Sequence, residues 1–300
     1  MAIDYERLMN WPVPTARQHL TPRDCMLYAL GVGLGGDPTD ERQLRFLVED
    51  GLCALPSMAA VLAYPGFWQR DPGTGLDWVR LLHAEQCVEI HRPLPVEGEI
   101  VGTTRVTGIL DKGAGKGALL FQERAIALAD GTPDGTPLAT ATMTSFCRGD
   151  GGFGGPSGPA PAPVAIPDGP PDLQVDLPTL PQAALIYRLS GDYNPLHAVP
   201  SVARAAGFER PILHGLCSFG VAGHAILAGA CGYAADAVRL LRARFTAPVY
   251  PGETLRTEIW RAGPTDLRFR TRALERDVLV LNNGQALLNR PVSSEDSSHA

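Results

Sequence analysis

Two side chains in one polar turn, Asp192 and His197, are of the types that move protons at neutral pH. They lie in YRLSGDYNPLH (187–197) and are five residues apart, so a continuous helix would not put them on one face. The intervening residues argue against such a helix. Ser190, Gly191, Asn194 and Pro195 are turn and cap residues, and Pro195 suits the first position of a short helix. A turn can aim both side chains into one cleft, with the Asn194 amide available for orientation. Further on, His214-Gly215 opens the apolar run LCSFGVAGHAIL (216–227), which reads as a buried helix. Its small residues, Gly220, Ala222 and Gly223, permit close approach to a sheet. Gly215 would stand where backbone N–H groups lack partners and the helix dipole favours negative charge. An acid, an imidazole and an N–H donor together suit proton transfer beside a developing oxyanion. Plainer roles exist for each: a helix cap for Asp192, a structural His197, a tight turn at Gly215. A metal site lacks a third ligand at a telling spacing.

The surrounding chain supplies elements to hold these groups. Thr21 to Gly33 has a helix start, with Thr21 as cap and Pro22 in the first turn. From Val79 onward the texture alternates apolar and polar residues, punctuated by glycine and proline, as antiparallel strands do. Residues 149–181 interrupt this with a Gly/Pro-dense segment, read as a linker or covering loop. Helical and then strand-like texture returns, with strands from Val238 and a turn at Pro251-Gly252. The order is thus helix then strands, twice, an α+β pattern in two units: 1–148 and 182–300.

Short matches tie the units together at an offset of 159: Tyr28-Ala29-Leu30 with Tyr187-Arg188-Leu189, and Val79 to Leu82 with Val238 to Leu241. Gly98-Glu99 matches Gly252-Glu253 after a slip of five. At that offset Asp192 falls on Gly33, His197 on Pro38 and Gly215 on Pro56, which has no N–H to donate. The first unit therefore lacks the reactive set. The expectation is one site per chain, in the second unit, with the first unit released to widen a pocket.

Composition narrows the classes. A net charge of −6 gives no broad footprint for nucleic acid. No apolar run approaches a membrane span. None of the six cysteines forms a C-x-x-C pair, and most sit in apolar settings as reduced core residues.

The stretch YRLSGDYNPLH, followed by AGFERPILHGLCSFG, resembles the MaoC-type R-specific 2-enoyl-CoA hydratases, above all the hydratase 2 module of peroxisomal multifunctional enzymes. The similarity runs from about Leu27 to Gly284. It implies a double hot-dog fold, two antiparallel sheets each wrapped around a central helix. It also implies hydration of a trans-2-enoyl-CoA to the (3R)-3-hydroxyacyl-CoA with no cofactor and no metal. Asp192 and His197 would hold and activate water and return a proton to the α carbon; Gly215 N–H would polarise the thioester carbonyl. The resemblance also suggests substrate contacts for His83, Lys112 (CoA phosphate or pantetheine) and Phe245, with Tyr187 packed near the site. A homodimer is expected, and the ending, without a peroxisomal import tripeptide, suggests the cytoplasm. Competing readings are the reverse dehydration, a thioesterase of the same fold, and a non-catalytic acyl-CoA-binding protein.

Overall fold

A computed structural model describes residues 3–132 and 134–291. The helices are α1 (Tyr5–Met9), α2 (Pro22–Gly31), α3 (Glu41–Leu44), α4 (Ala183–Tyr187), α5 (Pro200–Ala205) and α6 (Gly215–Ala230). The first-half strands are β1 (Ala16–Leu20), β2 (Leu81–Ile90), β3 (Gly98–Asp111), β4 (Ala118–Leu128) and β5 (Ala139–Cys147). Then come β6 (Leu173–Pro178), β7 (Val238–Phe245), β8 (Thr254–Arg261), β9 (Asp266–Ala273) and β10 (Val278–Leu288). The ten strands form one antiparallel sheet, ordered β1-β3-β4-β5-β2-β7-β10-β9-β8-β6. Two five-stranded halves therefore meet edge to edge at β2 and β7, the double hot-dog architecture.

The seam confirms the repeat. Glu85 pairs with Arg244, residues separated by the same 159 positions that the sequence matches show. A pseudo-two-fold axis thus passes through that pair. The Glu85 carboxylate accepts from Arg244 at 2.9 Å and from Arg242 at 3.2 Å on the outer face. Residues 241, 243 and 245 of β7 point the other way, toward α6, as strand alternation requires.

α6 is buried along nearly its whole length. It is apolar all round because it has sheet on one side and first-half loops on the other. Its small residues are needed for contact: a Cβ on Gly223 would lie 3.1 Å from Leu241 of β7, and one on Gly229 would lie 2.8 Å from Val175 of β6. The close approach expected from the sequence is present. α2 and α4, the paired elements of the repeat, meet through the Tyr28 and Tyr187 rings at 5.9 Å.

Two features depart from the sequence reading. The first-half counterpart of α6 is a single 3₁₀ turn, Pro56–Ala60, that begins at the position matching Gly215. Pro65 lies only a few residues beyond, and the residue before a proline resists the helical region, so no long helix can grow there. The sheet of that half consequently has no full helix filling its concave side.

The second departure lies in the segment 149–181. Its end, Leu173–Pro178, is an edge strand paired with β8, so the irregular connection is shorter than expected. That connection is pinned rather than loose. Asp111 accepts from Gly152 N and Gly154 N, and Arg244, Asn283 and Trp260 donate to the carbonyls of Pro161, Val164 and Gly169. It thus runs across the outer face of the second half as a covering strap, one of the two roles the sequence allowed. The end of the chain, 292–300, lies outside the described residues.

Candidate active site

The turn expected from Ser190 to Pro195 forms, and it places Asp192 and His197 together. α4 ends in a 3₁₀ turn, Arg188–Ser190, and Gly191 at φ 115° reverses the chain, a conformation glycine adopts without strain. The Asp192 carboxylate then accepts from Asn194 N at 3.1 Å. The Asn194 Oδ1 accepts from Leu196 N at 3.1 Å and caps the short helix Pro195–His197. Through Oδ1, Asn194 thus holds the loop that carries His197. Asp192 is an Asx-turn residue, not the cap of a long helix.

His197 is buried, with Nδ1 2.9 Å from the Ile212 carbonyl. A carbonyl only accepts, so Nδ1 carries the proton and Nε2 presents a lone pair. His214, 1% exposed, stacks on His197 with centroids 3.8 Å apart. Its Nε2 donates to the Asp192 carbonyl at 3.1 Å, and its Nδ1 has no hydrogen-bond partner. The Tyr187 ring lies behind it at 5.2 Å and is itself 1% exposed, so Tyr187 supports the site through His214. Burial lowers the pKa of His197, with the Ile212 carbonyl and the Asp192 charge acting the other way. Burial and the adjoining His197 lower that of His214. Both rings are neutral at pH 7.

A carboxylate oxygen of Asp192 and one ring nitrogen each of His197 and His214 lie within 4.8 Å of one another. These residue types could ligate a transition metal, but the imidazoles are stacked, with only 28° between their planes. Their lone pairs run side by side and do not converge on a point about 2 Å from each, as a metal ion requires. The same gap suits a water that donates to the carboxylate and to His197 Nε2.

Gly215 is the first residue of α6, and the N–H groups there have no helical partner. A Cβ on Gly215 would come 3.2 Å from the Phe245 ring. Phe245 in turn meets His83 edge-on, with centroids 4.7 Å apart. His83, at the start of β2, is thus brought to the second-half site across the seam. Its Nε2 has no partner, and burial lowers its pKa to about 4, although the Asp192 charge opposes this. Tyr64, also from the first half, is close enough for Asp192 to act electrostatically on its phenol. No sequence signal marks His214 or Tyr64 as a site residue. His214 stood in the His-Gly pair but gave no spacing signal, and Tyr64 lies in an unremarkable apolar run.

A cavity of about 280 Å³ opens beside the turn, lined among others by Gln18, Leu27, Met58, Tyr64 and Gly191. Most of its wall is first-half chain, where the long helix is missing. Lys112 lies in the β3–β4 turn, away from the acid and imidazole, with its N–H bonded to the Gly117 carbonyl at 3.0 Å.

Residues 163–283 match the family described as MaoC like domain, and residues 19–149 match the MFE-2 hydratase 2 N-terminal domain. An enoyl-CoA hydratase of Mycobacterium tuberculosis is 42% identical over 268 residues, covering 88% of this chain and 91% of that protein. A 3-hydroxyacyl-thioester dehydratase of the same organism is 44% identical, covering 84% and 85%. A crystal structure of a MaoC-like dehydratase from Phytophthora capsici superposes with a TM-score of 0.81 at 34% identity, covering 96% of this chain and 99% of that one. The chain therefore belongs to the MaoC-like hydratase family, with both halves of the hydratase 2 arrangement present.

Proposed function

We propose that the protein is an R-specific enoyl-CoA hydratase, a hydro-lyase that adds water to a trans-2-enoyl-CoA and gives the (3R)-3-hydroxyacyl-CoA. The observation that carries this reading is the Asp192–His197 pair, held by backbone bonds beside the unpaired N–H groups at the start of α6. In this reading the thioester carbonyl accepts from Gly215 N–H, which draws charge from the β carbon. Water held between the Asp192 carboxylate and His197 Nε2 attacks that carbon. The pair takes one water proton and returns a proton to the α carbon, so the site ends as it began. Neutral His197 is the form that can accept. No cofactor takes part, because the thioester itself makes the β carbon electrophilic. The reverse dehydration uses the same groups.

His83 and Phe245 flank the thioester in this scheme, and the first half receives the acyl group in the cavity beside Tyr64. The first half is non-catalytic here, since Gly33, Pro38 and Pro56 stand in place of the reactive set. The apolar and half-exposed Leu30, Leu185 and Leu189 offer surface for a homodimer contact, which light scattering would test. Among the described residues no helix is long and apolar enough to cross a membrane. Incubation with trans-2-enoyl-CoA tests the function. Loss of the conjugated absorbance with an R product supports it, and release of free CoA instead would indicate a thioesterase.

A further inference from the structure

The concave face of the first-half sheet is not wholly apolar. Arg124 of β4 and Thr104 of β3 stand directly opposite each other on it, on the side where the long helix is missing. Arg124 is 7% exposed and Thr104 9%. Both hydrogen bonds of the guanidinium leave from Nη2, to the carbonyls of Ala60 at 2.6 Å and Ala59 at 3.3 Å. Arg124 Nε and Thr104 Oγ1 are buried without a partner among the described residues.

Taking a cation out of water is costly unless an anion accompanies it. Two neutral carbonyls satisfy one nitrogen of Arg124 and leave its charge uncompensated. Among the described residues the Tyr64 phenol is the only ionisable group close enough to act on the guanidinium, and no carboxylate does so. Burial lowers the pKa of Arg124 to about 10, so the group is charged at pH 7.

This polar pair lies directly behind the cavity beside the site. The Arg124 stem and Ala63 converge on Gly102, where a Cβ would meet them at 3.1 and 2.9 Å. The Tyr64 ring covers the guanidinium, 5.4 Å from it. Ala63 and Tyr64 both belong to the cavity wall, and Tyr64 is 40% exposed, which leaves its ring room to turn aside. Gly191 and Ser190 form the wall next to Asp192. A chain that enters past Gly191 therefore runs toward Tyr64 and Arg124. Asp24 also lines the cavity, but Thr21 N and Oγ1 both donate to its carboxylate. A volume of about 280 Å³ holds about nine water-sized groups, enough for a medium-length chain.

We propose that Arg124, assisted by Thr104, receives a carboxylate at the far end of the acyl chain, so that the preferred substrates are enoyl-CoAs of dicarboxylic acids. This rests on the hydratase reading for the reacting end of the chain.

The test compares kcat/KM for trans-2-decenedioyl-CoA, trans-2-dodecenedioyl-CoA and trans-2-tetradecenedioyl-CoA with that for the monocarboxylic enoyl-CoA of the same length. The ratio within each pair cancels losses of folded protein. We expect wild type to favour the diacid at least tenfold at one of these lengths, because the anion has a fixed reach. Arg124→Gln should bring that ratio to about one. Thr104→Val removes a hydroxyl that already lacks a partner, so its urea midpoint should hold while the ratio falls about threefold. Arg17 lines the same cavity but is exposed, and Arg17→Gln should keep the wild-type ratio. A wild-type ratio near one at every length would overturn the proposal. So would an Arg124→Gln ratio within twofold of wild type, or a ratio that collapses in Arg17→Gln instead. Where Arg124→Gln does not fold, a Thr104→Val ratio equal to wild type overturns it. Calorimetric binding of the saturated decanedioyl-CoA and decanoyl-CoA separates this proposal from the hydratase reading. Tighter binding of the diacid without hydration of any enoyl-CoA would refute the hydratase reading and leave the Arg124 site standing. Equal binding of the two, or none, would overturn the site whatever the turnover.

Discussion

Gly215→Ala separates the backbone-donor role from any role in stability. The substitution places a methyl group 3.2 Å from the Phe245 ring, a few tenths of an ångström inside ordinary contact. Gly215 is the first residue of α6, and alanine is the better helix former by up to about 1 kcal/mol. The strain of moving one half-buried ring is of similar size, so stability should stay within about 1 kcal/mol of wild type. Activity should not survive as well. The methyl group and the displaced ring occupy the space where the thioester oxygen must reach the N–H. Loss of one oxyanion donor costs about a hundredfold to a thousandfold in turnover. Urea unfolding and steady-state kinetics on the same preparation give both quantities. Adding Phe245→Leu should restore part of the turnover by returning space, a coupling that a double-mutant cycle measures. Unchanged turnover in Gly215→Ala, with normal stability, would refute the donor role.

Four further outcomes follow from the same geometry. Asp192→Asn should lower turnover by about three orders of magnitude while the urea midpoint stays close to wild type, because the amide oxygen can still accept from Asn194 N; a variant with a tenth of wild-type activity would remove Asp192 from the proton path. Burial lowers the pKa of His197, so the acid limb of the kcat/KM profile should fall below the ordinary imidazole value near 6.5, with activity lost as pH drops and the ring protonates; an acid limb above 7 contradicts this. His224, buried between the Val32 carbonyl and the Tyr233 hydroxyl, has its pKa lowered to about 4. The unfolded chain therefore binds the extra proton first, and stability, up to about 3 kcal/mol from this group, should decline as pH falls from 6.5 toward 4; a flat urea midpoint across that window would refute it. Met58→Trp should block the first-half cavity and raise KM at least tenfold for a long enoyl-CoA but not for a short one; equal effects would place the acyl chain elsewhere.

Much of the site is legible in residues 187–215 because turn chemistry is local. Gly191, Asn194 and Pro195 dictate a reversal and a short capped helix, and these fix where Asp192 and His197 can point. The double architecture is legible through the offset of 159, which the Glu85–Arg244 pairing reproduces at the seam. The rest depends on tertiary placement. The stack of His214 on His197 joins residues from two separate turns, and no periodicity announces it. His83 and Tyr64 reach the site only because β2 pairs with β7 and the helix after Pro56 is cut short. The edge strand 173–178 was hidden by the proline-rich chain before it, since strand pairing with β8 overrides local composition at a sheet edge.

The measurement that bears most directly on the central claim is the hydration of trans-2-decenoyl-CoA by wild type and by Asp192→Asn, followed by loss of the conjugated absorbance and by chiral analysis of the product. The account expects the (3R)-3-hydroxyacyl-CoA from wild type and almost none from the variant. An S product, or an Asp192→Asn enzyme as fast as wild type, would contradict it.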